Sequence, residues 1–243
     1  LLEKEKGYNL SKTTVGLVGV GHVGHAVIEA IRPLGVQILL NDPPQKEALR
    51  KAGKPHEFFL KMEELQEKCD IISFHTPLIT KGPYPTFHLA NKTFFNALKK
   101  QPIIINTSRG AVVDNTDVLQ ALKDGIIRDA IIDTWENEPN INQELLNLIY
   151  IGTPHIAGYS ADGKANATRM ALTALCNHFH LPVTFQIRVP QLPEEELPEP
   201  NLTETERALV LYNPHTDSLK LKSHPTMFEE LRGNYPLRRE FIE

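Results

Sequence analysis

The amino-acid sequence predicts an α/β fold, a doubly wound parallel sheet followed by a small C-terminal α+β module. Two observations predict the sheet. From residue 13 to residue 152, short apolar runs alternate with amphipathic stretches, which is the pattern of strand–helix–strand units. The runs are nearly continuous in Val, Ile and Leu, as strands covered by helices on both faces require. After residue 180, prolines and acidic residues interrupt this pattern and mark the separate module.

Six apolar runs are expected to form the strands, at residues 15–20, 36–40, 71–74, 103–105, 130–132 and 148–151. After the first strand, Val27 and Ile31 recur at helical spacing and Gly35 ends the helix. After the fourth, Asp114 is expected to cap a helix that Gly125 closes. Farther along we expect a helix at 161–179, a solvated acidic run at 194–196, a strand or short helix at 207–212, and a basic-ended helix at 227–239.

Composition excludes several classes of function. Lys and Arg total 26 against 30 Asp and Glu, a net charge of -4, so no strongly basic surface for nucleic acid is expected. The apolar runs are too short to cross a membrane. Two cysteines, Cys69 and Cys176, cannot build a disulfide framework, which favours the cytoplasm. The first residues resemble no signal peptide, and we expect the sequence to begin within a longer protein.

A glycine-rich turn, Gly19-Val20-Gly21-His22-Val23-Gly24, lies between the first strand and the first helix. In that position the pattern predicts a Rossmann-type dinucleotide site. Gly19 permits the tight turn, Gly21 lets the backbone approach a pyrophosphate, and Gly24 lets the helix pack on the strand. The free N–H groups at the start of the helix attract the phosphates.

Asp42 ends the second strand, 18 residues after Gly24. A carboxylate at this point accepts hydrogen bonds from ribose hydroxyls and repels a 2′-phosphate, so NAD is favoured over NADP. The alternative is that the glycines serve packing only and that Asp42 caps a helix. The agreement in position between the loop and the acid favours the cofactor site.

Three further polar residues follow strands of the predicted sheet, at the edge where such folds carry their chemistry: Arg109, Glu138 and His155. Oxidation of an alcohol by NAD needs a base that takes the hydroxyl proton, and histidine titrates in the right range. A carboxylate beside the histidine stabilises imidazolium, and an arginine offers a fork for a substrate carboxylate. Spacing alone does not choose between Glu136 and Glu138, and each of these residues also has an ordinary structural interpretation. The remaining histidines predict no metal site.

Four segments together resemble the NAD-dependent D-2-hydroxyacid dehydrogenases: 19–24, 106–114, 133–139 and 154–158. The resemblance implies that Arg109 binds substrate, that Glu138 pairs with the histidine, and that His155 is the catalytic acid and base. Glu136 is then expected to be a solvent-facing polar residue. With the glycine loop and Asp42, the residues expected to contact NAD are Gly19, Gly21, His22, Val23, Gly24, Asp42, Thr76, Thr107, Ser108, Asp133 and Gly158.

Additional segments resemble one branch of that family, which acts on a phosphorylated hydroxy acid and carries its own C-terminal dimerisation domain. They are 42–44, 74–78, 82–84, 88–90, 109–116, 152–159 and 231–241. This resemblance implies that Tyr159 contacts substrate together with Arg109, that another Lys or Arg holds the phosphate, and that the protein is a homodimer. The family also has an N-terminal substrate-binding portion to which nothing in this sequence corresponds.

We therefore expect three parts: an NAD-binding domain at 1–158, a helix returning toward a substrate domain at 159–182, and a dimerisation domain at 183–243. Two alternatives remain at this point, a dehydrogenase for another D-2-hydroxy acid and a non-catalytic NAD-binding module. The presence of Arg109, Glu138 and His155 argues against the second. No nucleic-acid or membrane partner is expected.

Overall fold

The structure is a computed structural model that describes residues 1–193, 196–199 and 201–240. The chain divides into two compact units, Leu1–Gly152 and Thr153–Glu243. The domain bounds expected from the sequence remain a proposal. The start of the predicted acidic run, Glu194 and Glu195, lies outside the described residues, as do Pro200 and residues 241–243. No helix in the described part of the chain has the length and apolar character needed to span a membrane.

The first unit contains a six-stranded sheet in the order β2-β1-β3-β4-β5-β6, and every neighbouring pair of strands is parallel. This confirms the predicted α/β fold. The chain runs outward from β1 to β2 and then returns to β3 on the other side of β1, so the order reverses at the end of β1, where such folds bind ligands. The strands are β1 Thr14–Val18, β2 Gln37–Asn41, β3 Ile71–Phe74, β4 Ile103–Asn106, β5 Asp129–Ile132 and β6 Ile151–Gly152.

Seven α-helices accompany the sheet in the described part of the first unit. They are α1 Leu2–Lys6, α2 His22–Ile31, α3 Pro43–Lys51, α4 Met62–Lys68, α5 Lys92–Asn96, α6 Asn115–Lys123 and α7 Gln143–Leu148. The apolar side of α2 covers the sheet because Val27 and Ile31 pack on the buried Leu17 and Ile71. Asp114 caps α6, accepting hydrogen bonds from the backbone N–H groups of Thr116 and Asp117, as the sequence predicts.

Two strands have an end that differs from the predicted range by two residues or more, each for a local reason. The first ends at Val18 rather than at residue 20, because the chain turns at Gly19 with a φ of 91°. The sixth begins at Ile151 rather than at residue 148. There, Asn142 caps α7 by accepting a hydrogen bond from Leu145 N–H, and the helix continues through Leu148.

The described part of the second unit is helical. Its helices are α8 Ala161–His178, α9 Glu204–Leu211, α10 Pro214–Ser223 and α11 Phe228–Gly233. The predicted helix at 161–179 is confirmed, and Ser160 caps it by accepting a hydrogen bond from Gly163 N–H. The expected α+β character of the C-terminal module is corrected, since no strand occurs in its described residues. Thr203 and Glu206 form a capping box, and the segment predicted as a strand or short helix at 207–212 is therefore helical.

The predicted helix at 227–239 is too long. In this region the chain forms a 3₁₀ turn, Pro225–Met227, followed by the short α11, which ends at Gly233. Beyond it, a tail without helix or strand is anchored by Arg239, whose side chain is almost completely buried. Its guanidinium Nε lies 3.0 Å from Asp162 Oδ2, and Nη1 donates to Pro190 O at 3.1 Å. The tail is thereby tied to the start of α8 and to the segment before α9.

Candidate functional site

The glycine loop leaves no room for side chains at two of its positions and leaves one open. At Gly19, a Cβ would lie 2.7 Å from the carbonyl oxygen of His75, and at Gly24 it would lie 2.4 Å from the carbonyl oxygen of Gly19. At Gly21, which caps α2, a Cβ would meet nothing within 4 Å. The turn and the helix packing thus require glycine, while the backbone of Gly21 faces open space at a helix N-terminus, as a bound pyrophosphate requires.

Asp42 caps a helix and also holds the glycine loop. Its Oδ1 accepts a hydrogen bond from Gln45 N–H at 2.9 Å, which caps α3. Its Oδ2 accepts one from Val20 N–H at 2.8 Å and a third from Gln45 Nε2 at 3.1 Å. A carboxylate offers about four acceptor positions, so capacity remains for a ribose hydroxyl. The two interpretations left open by the sequence are therefore compatible in one residue.

A cavity of about 880 Å³ lies beside this loop in the first unit. Four of the predicted cofactor residues line it: Gly19, Gly21, Asp42 and Thr76. The hydroxyl Oγ1 of Thr76 and the ring Nδ1 of His75 are buried without a hydrogen-bond partner among the described residues. Buried polar atoms require partners, and a bound ligand with hydroxyl and amide groups supplies them. The cavity therefore fits a dinucleotide.

His75 also lines this cavity and is uncharged at neutral pH. Burial lowers its pKa to about 4, and its Nε2 is 2.9 Å from Ser73 Oγ. An uncharged ring adds no positive charge to the cavity. The sequence analysis did not predict His75 as a site residue. The one signal that could have indicated it is its position directly after the third strand.

The loop after β4 carries Arg109 and is held by Asn106, which is completely buried. Asn106 Nδ2 donates to the carbonyl oxygen of Arg109 at 3.0 Å, and Oδ1 accepts from Ser108 N–H and Oγ at 3.1 and 2.9 Å. The Ser108 hydroxyl therefore contributes to the loop's own structure. Thr107 is half-buried, and Arg109 is exposed. Asn106 begins the segment 106–114 that carries the family resemblance, but the sequence did not indicate this supporting role.

The loop after β5 carries Glu138 and packs against the loop after β4. Glu138 Oε1 accepts a hydrogen bond from Trp135 N–H at 2.8 Å, and Asp133 N–H donates to the carbonyl oxygen of Asn106 at 3.0 Å. A Cβ at Gly110 would lie 1.9 Å from the carbonyl oxygen of Trp135. Arg109 and Glu138 thus lie on two neighbouring loops of the first unit, which are joined by a hydrogen bond and by close backbone packing.

Glu136 is not the solvent-facing residue that the sequence predicted. Its Oε1 is 2.7 Å from His88 Nε2, and its Oε2 accepts a hydrogen bond from Asn115 N–H at 2.8 Å. The other ring nitrogen of His88 is 3.0 Å from Asp114 Oδ2. The three side chains are partly buried and connect the segments that follow β3, β4 and β5. The expectation was wrong because these contacts join residues far apart in the sequence.

The remaining predicted residues belong to the second unit or to the start of α2. His155 has a φ of 57°, Gly158 is exposed, and the ring of Tyr159 is half-buried beside Lys164 Nζ, which is 4.3 Å from its centre. His22 and Val23 are exposed in the first turn of α2. Among the described residues, no cluster of three or more His, Cys, Asp or Glu side chains suits a metal ion. The geometry of the Arg109, Glu138 and His155 trio stays a prediction.

Comparison with known proteins places this geometry in a family. Residues 2–157 match the family described as D-isomer specific 2-hydroxyacid dehydrogenase, NAD binding domain. The chain belongs to this family. Two relatives are named erythronate-4-phosphate dehydrogenase. The one from Bacteroides fragilis is 50% identical over 99% of this chain and 67% of its own length. The one from Bacteroides thetaiotaomicron is 52% identical over 93% of this chain and 63% of its own length.

A solved structure supports the same assignment. The NAD-complexed D-isomer specific 2-hydroxyacid dehydrogenase of Lactobacillus delbrueckii ssp. bulgaricus superposes with a TM-score of 0.57 at 26% identity, covering 73% of this chain and 56% of that one. The protein is thus an NAD-dependent oxidoreductase acting on a CH–OH group. The predictions of the family and of NAD as the cofactor are confirmed. The chain spans about two thirds of the length of the curated relatives that it matches.

Proposed function

We propose that the protein oxidises 4-phospho-D-erythronate to 2-oxo-3-hydroxy-4-phosphobutanoate with NAD, a step in pyridoxal 5′-phosphate biosynthesis. The observation that carries this proposal is the 50% identity to the Bacteroides fragilis erythronate-4-phosphate dehydrogenase over 99% of the chain. That relative's name supplies the substrate. The activity is that of the whole protein, of which this chain corresponds to 67% in the same relative.

The proposed chemistry assigns one task to each member of the trio. His155 accepts the proton of the C2 hydroxyl as the C2–H bond breaks, and Glu138 stabilises the resulting imidazolium. Arg109 binds the substrate carboxylate through its planar fork, and Tyr159 makes a further substrate contact. The proposed contacts of NAD are Gly19, Gly21, His22, Val23, Gly24, Asp42, Thr76, Thr107, Ser108, Asp133 and Gly158. NAD held by these residues would supply the hydride acceptor.

The test is NADH formation by the intact protein that carries this sequence. We expect oxidation of 4-phospho-D-erythronate and much slower oxidation of D-lactate, because an unphosphorylated acid lacks the second anchor. The reverse preference would support a dehydrogenase for another D-2-hydroxy acid. His155→Ala should reduce turnover roughly 10²- to 10⁴-fold and leave NAD affinity unchanged. Unchanged turnover in this variant would refute the assignment of the acid–base residue.

We also propose that the protein is cytoplasmic and that it forms a homodimer through its C-terminal module. Val210 on α9 and Leu219 on α10 are 54% and 55% exposed, which supports an apolar face there. Leu221, on the same helix as Leu219, is completely buried and does not contribute to this face. Changing both Val210 and Leu219 to Glu should give monomers by light scattering. Met170→Glu, at a residue 69% exposed on α8, is the control, and a persistent dimer in the double variant would contradict the assignment.

A further inference from the structure

Aromatic rings and cationic side chains are interleaved in the second unit. We call this group the Tyr159 cluster, and its members are Tyr159, Lys164, Arg232, Tyr235 and Arg238. Lys164 Nζ and the Arg232 guanidinium carbon lie 4.3 and 5.7 Å from the centre of the Tyr159 ring. The Tyr235 ring meets that of Tyr159 edge-on at 6.2 Å, and Arg238 lies 5.6 Å from the Tyr235 ring centre. Arg238 also lies 4.0 Å from the centre of the Tyr212 ring, so three cations are held around three rings.

Two of these cations have buried N–H groups that no described residue satisfies. Arg238 is only 6% exposed, and its Nη2 donates to the carbonyl oxygen of Ala157 at 2.8 Å. Its Nη1 and the Nε of Arg232 are buried and have no hydrogen-bond partner in the described part of the chain. Buried guanidinium N–H groups are normally paired, and they pair best with an anion. Among the described residues, these two N–H groups therefore have no acceptor.

The carboxylates around the cluster have donors of their own. Asp217 accepts a hydrogen bond from the hydroxyl of Tyr235 at 2.8 Å, and burial together with this bond raises the pKa of Tyr235. Asp162 is paired with Arg239 at 3.0 Å, and Glu240 accepts from Ser160 Oγ at 2.5 Å. These pairings leave Lys164, Arg232 and Arg238 with an excess of positive charge beside the predicted substrate residue Tyr159.

We propose that Arg232 and Arg238, with Lys164, form the subsite that binds the phosphate of the substrate. This rests on the proposed function, which commits Arg109 to the carboxylate and leaves the phosphate without a named partner. Guanidinium forks match the oxygens of a phosphate monoester, and two such groups with an ammonium suit a dianion. Arg232 is half-buried and Lys164 is exposed, so a dissolved anion can reach both side chains.

The direct test measures binding of inorganic phosphate to the 243-residue chain by isothermal titration calorimetry. We expect Arg232→Gln to weaken phosphate binding about 10- to 100-fold, the usual effect of removing a hydrogen bond to a charged group. Arg238→Lys keeps the charge but loses the fork and should also weaken binding. Arg188→Gln, at an exposed arginine of the same unit, is the matched control and should leave the affinity unchanged. NAD affinity, measured on every variant, reports that the first unit is intact.

The outcomes separate this inference from the proposed function. Equal phosphate affinity in the unchanged chain, Arg232→Gln and Lys164→Gln would overturn the subsite. Lys164→Gln keeps this test valid even where a buried arginine variant fails to fold, because Lys164 is exposed. In the intact protein, Arg232→Gln should raise KM for 4-phospho-D-erythronate with little change in kcat, since the phosphate is held equally before and during reaction. If the variants lose phosphate binding but the intact protein does not oxidise 4-phospho-D-erythronate, the subsite is supported and the proposed function is refuted.

Discussion

Replacing Asp42 by Ala tests whether this residue both caps a helix and selects the cofactor. The change removes the acceptor for three donors: the N–H groups of Val20 and Gln45 and the side-chain amide of Gln45. Val20 is only 1% exposed, so its N–H loses its partner in a nearly dry position. The substitution also removes the negative charge that a 2′-phosphate would meet.

The expected magnitudes follow from these contacts. Loss of a helix cap costs about 1 kcal/mol, and a buried N–H left unpaired costs about 1–3 kcal/mol, so we expect the free energy of unfolding to fall by about 2–4 kcal/mol. Loss of a charged hydrogen bond to a ribose hydroxyl weakens NAD affinity about 10- to 100-fold. NADP affinity should fall much less, because the repulsion of its phosphate is removed at the same time.

Asn142→Ala is the matched control for the cap alone. Asn142 caps α7 by accepting a hydrogen bond from Leu145 N–H at 3.0 Å, and it is not among the residues that line the cofactor cavity. Its loss should cost about 1 kcal/mol and leave the ratio of NAD to NADP affinity unchanged. Urea unfolding gives the stabilities, and fluorescence titration gives both affinities. If Asp42→Ala lowers stability while preserving the affinity ratio, Asp42 is a helix cap only and the cofactor argument is refuted.

Two further predictions concern stability. Burial lowers the pKa of His75 to about 4, whereas in the unfolded chain the imidazole binds a proton near pH 6.5. Between these two pH values only the unfolded chain is protonated at this residue. The free energy of unfolding should therefore fall by up to about 3 kcal/mol as the pH drops from 6.5 to 4. His75→Gln should remove this part of the slope of unfolding free energy against pH, and an unchanged slope would contradict it. Glu136→Gln should cost about 1–2 kcal/mol in urea unfolding, because Glu136 is 20% exposed and binds both His88 and Asn115. Glu144→Gln is the control, because it breaks only the exposed ion pair with Lys123 and should lower the free energy of unfolding by less than about 1 kcal/mol. If both variants lower the free energy of unfolding equally, the contacts of Glu136 with His88 and Asn115 add nothing to stability.

The sheet and the glycine loop could be predicted because their signals are local. A buried parallel strand such as Ile71–Phe74 is apolar at nearly every position, and its bounds match the prediction. The glycines at 19 and 24 are required by contacts with neighbouring backbone, which a short motif encodes directly. Such features depend on a few adjacent residues, so one sequence is enough to recognise them.

The helix predicted at 227–239 was wrong although its signals were also local. The run Gly233-Asn234-Tyr235-Pro236 contains both a residue that ends helices and a proline that disfavours helical geometry at the residue before it. α11 ends at Gly233, in agreement with these signals. The apolar and basic residues before and after this run suggested a longer helix. The basic residues Arg238 and Arg239 instead lie in the tail after α11, where they are almost completely buried.

The contacts of Glu136 could not be predicted because they are set by the fold. Glu136 and His88 are 48 residues apart, and only the parallel order of β3, β4 and β5 brings their loops together. A carboxylate in a polar loop is more often exposed than not, so the sequence alone favours solvent. The same reasoning explains why Asn106 was given no role: its function depends on which backbone groups surround the end of β4.

Asn106 shows how one buried amide supports chemistry on two loops. Its side chain holds the loop of Arg109 through Nδ2, and its backbone oxygen accepts a hydrogen bond from Asp133 N–H at the start of the loop that carries Glu138. Because both loops depend on the same completely buried residue, a shift of Asn106 would displace the proposed carboxylate fork and the proposed histidine partner together. Ser108, which also binds Asn106, belongs to this support, and its proposed contact with NAD has to be made by atoms other than the hydroxyl proton that it donates to Asn106 Oδ1. The residues proposed to touch substrate and those that hold them in place are thus distinct, and only the first kind formed a recognisable pattern in the sequence.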